Sequence, residues 1–335
     1  MSLMNKGRSL SHRIITDLSI GPSYAWLNLR RRLYQSRRSI ADPIVASLNQ
    51  QRVRRLIKWG MKEFAEPLAR WTDKEETAIA YGNRPPIIWM AWLQGADQVP
   101  GKYHPFIESV RRCNPSAEIR ILDEKSIRSL IDIPAVISKR YGRGDISPVL
   151  FTDYVRFALL EQYGGIWMDM TLFQVHAPVF DILDYPMWCI KGLTPFVYAS
   201  AIPDALQWQS YYLAAQPHAL CCKVVLDLFE SYFDHHCVAF DYFFVYYLAY
   251  FARTIPAVQH SYDLIPPNNS RCEEMMTLVD SDKTLTPATT VSALVSEDTW
   301  MYKGSSHLNE DQTARCEQIL SVLEHASASI NSPIQ

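Results

Sequence analysis

The stretch PVLFTDYVRFALLEQYGGIWMDMTLF, residues 148–173, decides the fold because it joins a helix to a strand through two adjacent glycines. Ser147 and Pro148 are typical of the first residues of a helix, and Gly164 is typical of its end. The residues between these signals are apolar on nearly every face, which indicates a buried helix. We therefore predict a helix from Pro148 to Tyr163, followed at once by a buried strand.

Two charged residues interrupt the interior of this helix. Asp153 and Arg156 are three positions apart and therefore share a helix face. The apolar neighbours on that face predict that the pair is half-buried. The pair has two interpretations: an ordinary ion pair within the helix, or a charged couple that faces a ligand.

The strand is predicted to continue through IWMDMTLF, residues 166–173, with alternate side chains on opposite faces. The core face would then carry Ile166, Met168, Met170 and Leu172, and the other face Trp167, Asp169, Thr171 and Phe173. A buried carboxylate is costly without a partner, so Asp169 needs one. A ring, a carboxylate and a hydroxyl on one face suit a nucleotide sugar, because the ring can stack on the base and the oxygens can bind a hard cation. Asp169 could instead cap a neighbouring loop.

The segment before the helix predicts the start of a parallel sheet. The apolar run IIWMAWLQG reads as a strand, YHPFIESVRRC has helical spacing, and AEIRILD alternates like a second strand. A strand–helix–strand unit is typical of an open α/β sheet, in which ligands bind beyond the carboxyl ends of the strands. Trp92, Gln94 and Gly95 follow the first of these strands, so we expect them near a ligand.

The bulk composition is that of a globular protein with one large or two modest domains. The chain has 335 residues, of which 48% are hydrophobic, and NRPP at residues 83–86 is a strong breaker. We therefore predict a helical extension at residues 1–80 and a main domain at residues 81–335. The seven cysteines have no CxxC spacing, and no apolar run reaches the roughly 18 residues of a membrane span. We expect neither a secretory leader nor a spanning helix, and therefore a cytoplasmic protein.

The charge distribution is lopsided. Residues 1–60 contain twelve Lys and Arg against two acids, which gives +10 in a chain whose net charge is −2. Basic residues mixed with apolar and aromatic ones suit a helix that lies on an anionic membrane. A solvated helical hairpin packed on the main domain explains the same pattern, and periodicity does not separate the two. We expect no nucleic-acid partner, because no recognised binding module accompanies the basic residues.

The block TDYVRFALLEQYGGIWMDMT resembles the sugar-binding signature of the DXD glycosyltransferases, and within them the capsular polysaccharide synthesis group. The segments IIWMAWLQGADQVP, NPSAEIRILDE, FDYFFVYYLAYF and WMYKGSSH are similar to other parts of that group, so the resemblance covers about residues 85–310. It implies a GT-A fold, which is a Rossmann-like open sheet flanked by helices. It also implies transfer of a sugar from a nucleotide donor with retention at the anomeric carbon.

The resemblance also implies roles for individual residues. Asp153, Arg156 and Asp169 would be catalytic, with Asp169 as the first Asp of D-x-D. The donor would contact Trp92, Gln94, Gly95, Trp167 and Lys303. A divalent cation, Mn²⁺ or Mg²⁺, would bind Asp169, Thr171, Ser305 and His307. Thr171 departs from the motif, because a hydroxyl adds no charge to a cation site. For Lys303, Ser305 or His307 taken singly, an ordinary surface residue is the favoured interpretation.

The predicted function is therefore transfer of a hexose or N-acetylhexosamine, from a donor most simply taken as UDP-linked, to a growing cell-envelope glycan. The acceptor would be lipid-linked or an oligosaccharide, and the protein could lie peripherally on the inner face of the membrane through residues 1–60. Because Thr171 replaces an acid, a non-catalytic nucleotide-sugar-binding or scaffold subunit of a polysaccharide assembly complex is the alternative.

Overall fold

A computed structural model of the protein describes residues 13–193, 198–204, 208–281, 284–294 and 296–330. The chain begins with four helices, α1 (residues 13–20), α2 (Pro22–Gln35), α3 (Pro43–Glu63) and α4 (Ala65–Trp71). The Asp42 carboxylate caps α3 by accepting hydrogen bonds from the backbone N–H groups of Ile44 and Val45. Helices therefore dominate the described part of residues 1–80.

A five-stranded sheet lies at the centre of the molecule. Its strands are β1 (Ile87–Ala91), β2 (Glu118–Leu122), β3 (Gly165–Met168), β5 (Met187–Cys189) and β6 (Tyr212–Ala215), in the spatial order β2-β1-β3-β6-β5. β1 is parallel to both β2 and β3, whereas β6 is antiparallel to β3 and β5. The predicted strand–helix–strand unit and the α/β class are confirmed, although the sheet is mixed and not wholly parallel.

The remaining described helices lie between and after the strands along the chain. They are α5 (His104–Cys113), α6 (Glu124–Leu130), α7 (Ala135–Gly142), α8 (Pro148–Tyr163), α9 (Leu220–His235), α10 (Phe244–Ala252), α11 (Pro256–Asp263), α12 (Glu274–Val279), α13 (Pro287–Leu294) and α14 (Glu310–Ile330). The Ser147 hydroxyl accepts a hydrogen bond from the Leu150 N–H at the start of α8, as the sequence predicts. Among the described residues, no helix is both long enough and apolar enough to cross a membrane.

The prediction of one continuous strand over residues 166–173 is wrong. β3 ends at Met168, and a separate strand, β4 (Leu172–Gln174), pairs antiparallel with β7 (Met301–Lys303) in a second sheet. Between them the chain turns, with the Leu172 N–H donating to the Asp169 carbonyl at 3.1 Å. Strand alternation does not hold through a turn, so Met170 and Thr171 are both buried and the predicted division into two faces fails there.

The N-terminal helices share the core of the sheet. Tyr24 of α2, Leu56 of α3 and Leu68 of α4 belong to the same apolar cluster as the strands β1 and β3. A buried ion pair joins Arg52 of α3 to Asp241, just before α10. The domain boundary near residue 80 stays a prediction, but helices on both sides of it pack into one core.

Candidate active site

The junction between α8 and β3 depends on two glycines. Gly164 and Gly165 have φ angles of +66° and +99°, which side chains other than glycine rarely adopt. A Cβ on Gly165 would lie 2.5 Å from the carbonyl oxygen of Ile87, so β1 and β3 could not approach. These glycines reverse the chain and set α8 over the strand that leads to Asp169.

The buried Arg156 lies at the centre of the site and contacts both of its carboxylates. Its Nη2 lies 2.8 Å from Asp153 Oδ1 and 3.6 Å from Asp169 Oδ1, so the guanidinium bridges both carboxylates. Its Nη1 donates to the Ser210 carbonyl, and its guanidinium carbon lies 5.0 Å from the centre of the Trp167 ring. Only 5% of this side chain is exposed. The guanidinium therefore orients the two acids, and its predicted contact with a sugar stays a prediction.

Asp169 is the more accessible of the two carboxylates, with 30% of its side chain exposed against 12% for Asp153. Asp169 Oδ1 accepts a hydrogen bond from Trp167 Nε1 at 3.0 Å, and Oδ2 accepts one from Lys303 Nζ at 3.2 Å. The carboxylate thus stands at the end of β3 with a donor on each oxygen and still faces solvent.

Lys303 reaches the site because β7 pairs with β4. Leu172 lies opposite Lys303 in this ladder, which places the ammonium 2.6 Å from Thr171 Oγ1 as well as beside Asp169. Nζ also lies 5.1 Å from the centre of the Tyr211 ring. The structure therefore brings six predicted site residues into one cluster, formed by Asp153, Arg156, Trp167, Asp169, Thr171 and Lys303.

The two acids of the cluster have opposite pKa shifts. Burial raises the pKa of Asp153 to about 6, against the lowering effect of Arg156, and the charge of Asp169 adds to the rise. Burial would also raise the pKa of Asp169, but Lys303, Arg156 and the Trp167 hydrogen bond outweigh it, so that pKa lies below its usual value. Asp169 is therefore ionised throughout the neutral range, whereas Asp153 changes charge near pH 6.

Three residues predicted to contact the donor, Trp92, Gln94 and Gly95, lie at the same edge of the sheet. β1 runs parallel to β3 with Trp89 beside Trp167, so both strands end on one side. The Trp92 ring packs on Tyr103, with their centroids 5.3 Å apart, while Gln94 is exposed. Within the described residues, no hydrogen bond or ion pair links Trp92, Gln94 or the buried Gly95 to Asp169. Their contact with a donor stays a prediction.

The residues predicted to hold a divalent cation do not fit one in this arrangement. Asp169 and Thr171 both bind the Lys303 ammonium, which lies between them. Ser305 Oγ accepts a hydrogen bond from the His307 backbone N–H, and the His307 side chain is exposed. In the described part of the chain, no three His, Cys, Asp or Glu side chains lie together as metal ligands would. The four predicted ligands therefore do not form a cation site with this placement of Lys303.

Sequence reasoning missed two side chains beside Lys303. Tyr211 lies under the ammonium, and its backbone carbonyl accepts a hydrogen bond from the Asp169 N–H at 2.9 Å. Glu273 is a second acid near Lys303, and burial raises its pKa above the usual value. The antiparallel register of β3 and β6 and the return of β7 position them, and neither pairing has a local sequence signal.

The fold and the site thus define an α/β protein with a charged cluster where two parallel strands end. The chain belongs to the capsular polysaccharide synthesis protein family, whose family model matches residues 38–320. This match confirms the family predicted from the sequence. No curated protein matches the chain. A solved structure of PaToxG glycosyltransferase is 12% identical, with a TM-score of 0.38, over 84% of this chain and 98% of that chain. A likeness this distant establishes neither a shared fold nor a shared activity.

Proposed function

We propose that the protein is a glycosyltransferase that moves a hexose or N-acetylhexosamine from a nucleotide-sugar donor to a cell-envelope glycan. One observation carries the proposal: an ionised, partly exposed Asp169, held between Arg156 and Lys303, stands where β1 and β3 end. Ligands of open α/β sheets bind at such ends. Membership of a family of capsular polysaccharide synthesis proteins supports a glycan product. We propose a GT-A arrangement of the sheet on the same grounds.

The chemistry of the cluster suits an activated sugar. The Asp169 carboxylate would accept hydrogen bonds from donor-sugar hydroxyls, and the Lys303 ammonium would bind a diphosphate oxygen as negative charge develops on the leaving group. Asp153 would hold Arg156 in place, or accept a further hydroxyl. Trp92 would line the nucleotide side, with UDP as the proposed nucleotide. Trp167 is buried and would instead hold Asp169 through its Nε1 hydrogen bond.

Retention of the anomeric configuration follows from a front-face displacement in this proposal. The acceptor hydroxyl attacks C1 of the sugar on the face from which the diphosphate departs. The new C1–O bond forms as the C1–O(phosphate) bond breaks, and the hydroxyl proton passes to the departing phosphate oxygen. The cluster itself then needs no covalent intermediate, because it stabilises charge and holds the donor.

A basic and apolar face supports a membrane-associated acceptor. The outer face of α2 carries Trp26, Leu29 and Leu33 with Arg30 beside them, and 68% of the Trp26 side chain is exposed. The opposite face buries Tyr24 and Leu27, and α2 packs on α3. We propose that this outer face rests on an anionic membrane on the cytoplasmic side, with apolar rings in the interface and arginines at the headgroups. A glycan on a lipid carrier would then be within reach.

A donor screen tests the proposal. The purified protein is incubated with UDP-, GDP-, CDP-, ADP- and dTDP-linked sugars, and release of the nucleoside diphosphate is measured together with binding by calorimetry. We expect slow hydrolysis of one donor class and faster release once an oligosaccharide acceptor is added. Binding without any release would favour the non-catalytic scaffold subunit, for which Thr171 in place of an acid is the supporting feature. Absence of both binding and release would refute a nucleotide-sugar site.

A further inference from the structure

Lys303 lies between Asp169 and Thr171, two of the four residues expected to hold a metal. Its ammonium lies 3.2 Å from Asp169 Oδ2 and 2.6 Å from Thr171 Oγ1. Asp169 and Thr171 are the first and third residues of the D-x-D position, and an oxygen of each accepts a hydrogen bond from the Lys303 ammonium. The pairing of β4 with β7 fixes this placement, since Lys303 is the last residue of β7 and lies opposite Leu172.

The Lys303 ammonium can also donate a hydrogen bond to one further acceptor. An ammonium has three N–H donors, and Asp169 and Thr171 accept two of them. The Tyr211 ring lies 5.1 Å from Nζ, and 20% of the Lys303 side chain is exposed. The third donor is therefore available to a ligand oxygen. A compact positive charge with a free donor is suited to a phosphate group.

A divalent cation would gain little electrostatic stabilisation at the position of the Lys303 ammonium. It would share Asp169 Oδ2 with an ammonium and meet like-charge repulsion at short range. The other oxygen of Asp169 faces Arg156, 3.6 Å away, so the carboxylate already has two positive partners. Thr171 supplies no charge, and Asp153 is bound by Arg156 at 2.8 Å. Burial raises the pKa of the nearby Glu273, which favours its neutral form. The charge that would attract a metal is thus already neutralised by side chains.

We propose that Lys303 takes the place of the divalent cation, so that the protein binds the diphosphate of its donor and releases the leaving group without a metal. This inference rests on the proposed function and names the group that performs one part of it. Lys303 holds the bridging phosphate oxygens, while Asp169 and Thr171 fix the ammonium and Arg156 fixes Asp169.

Nucleotide binding, measured by calorimetry, tests the inference without relying on turnover. The wild-type protein is stripped with EDTA and titrated with UDP, GDP, CDP and ADP, first in EDTA and then with Mn²⁺ or Mg²⁺ in excess. We expect one nucleoside diphosphate to bind with a Kd that changes less than about twofold between these conditions. Lys303→Met should weaken that binding about tenfold to a hundredfold, and added Mn²⁺ should not restore it. Lys303→Arg should retain part of the affinity, because it keeps the charge.

The outcomes separate the inference from the proposed function. A Kd that tightens tenfold or more with Mn²⁺, or a Lys303→Met protein that binds normally, would overturn the inference and leave the glycosyltransferase proposal standing. Failure of every nucleotide to bind under either condition would overturn both. Lys223→Met is the matched control, because Lys223 is a lysine on α9 that contacts Thr77 and not Asp169. The EDTA comparison uses wild-type protein, so it does not depend on the folding of a variant.

Discussion

Acidification should lower the proposed transferase activity through Asp153. Burial raises the pKa of this carboxyl to about 6, although Arg156 opposes the rise. The ionised form is the one that pairs with Arg156, and Arg156 in turn reaches Asp169. Protonation of Asp153 therefore weakens the bridge that orients the Asp169 carboxylate. Activity should therefore be at its maximum above the raised pKa of Asp153 and should fall as the pH drops below it.

The size of the effect follows from that pKa. At pH 7 about nine-tenths of Asp153 is ionised, and at pH 5 only about one-eleventh is, so the rate should fall about tenfold between them. The assay is nucleoside diphosphate release from the best donor, measured from pH 5 to pH 8 at constant ionic strength. Asp153→Asn should be slower overall and should lack the fall, because its side chain does not titrate.

A second carboxyl serves as the control for this experiment. Glu230 contacts the Tyr154 hydroxyl at 2.8 Å, outside the cluster, and its pKa is also raised by burial. Glu230→Gln should therefore keep the acidic fall in rate. The reasoning fails if wild-type turnover is unchanged between pH 7 and pH 5, or if Asp153→Asn shows the same fall as the wild type.

Three further perturbations probe the membrane face and the fold. Trp26→Asp should reduce sedimentation with phosphatidylglycerol vesicles about tenfold, because it removes a large exposed ring from the outer face of α2. Arg52→Met should lower the free energy of unfolding by about 3–5 kcal/mol in urea titrations, because it leaves the buried Asp241 without its ion-pair partner. Adding Asp241→Asn to this variant should recover part of the lost stability. Gly165→Ala should cost about 2–4 kcal/mol in the same titrations, because a Cβ would strain the +99° φ angle and crowd β1.

Trp26→Asp and Gly165→Ala have matched controls, and the membrane and ion-pair predictions have results that would contradict them. Ile79→Asp changes another exposed apolar side chain outside α2 and should leave vesicle binding intact; equal binding by Trp26→Asp would contradict the membrane proposal. Gly142→Ala adds a Cβ into open space and should not destabilise the protein. The account of the buried pair is wrong if removing Arg52 alone costs no more than removing both partners.

The parts of the fold that the sequence predicted are those with strong local signals. Ser147, Pro148 and Gly164 mark the ends of α8 through capping and φ preferences, which act within a few residues. The strand–helix–strand unit was predictable because its apolar spacing changes from period 2 to period 3.6 and back. Asp153 and Arg156 meet because helix geometry places side chains three apart on one face.

The parts that the sequence did not predict depend on contacts between distant segments. Met170 and Leu172 continue the apolar alternation, so the turn after Asp169 has no local signature. That turn is fixed by the pairing of β4 with β7, which also brings Lys303 to Asp169. Tyr211 enters the site for the same reason, through the register of β3 and β6. Such pairings are set by the whole core, and no window of sequence encodes them.

Replacement of Asp169 tests the central claim most directly. Asp169→Asn keeps the shape of the side chain but removes the charge that pairs with Arg156 and Lys303. Donor turnover should fall at least about a hundredfold, while circular dichroism and the urea midpoint stay close to wild type. The exposed Asp132, between α6 and α7, provides the control, and Asp132→Asn should turn over normally. Near-normal turnover by a folded Asp169→Asn protein would contradict the account.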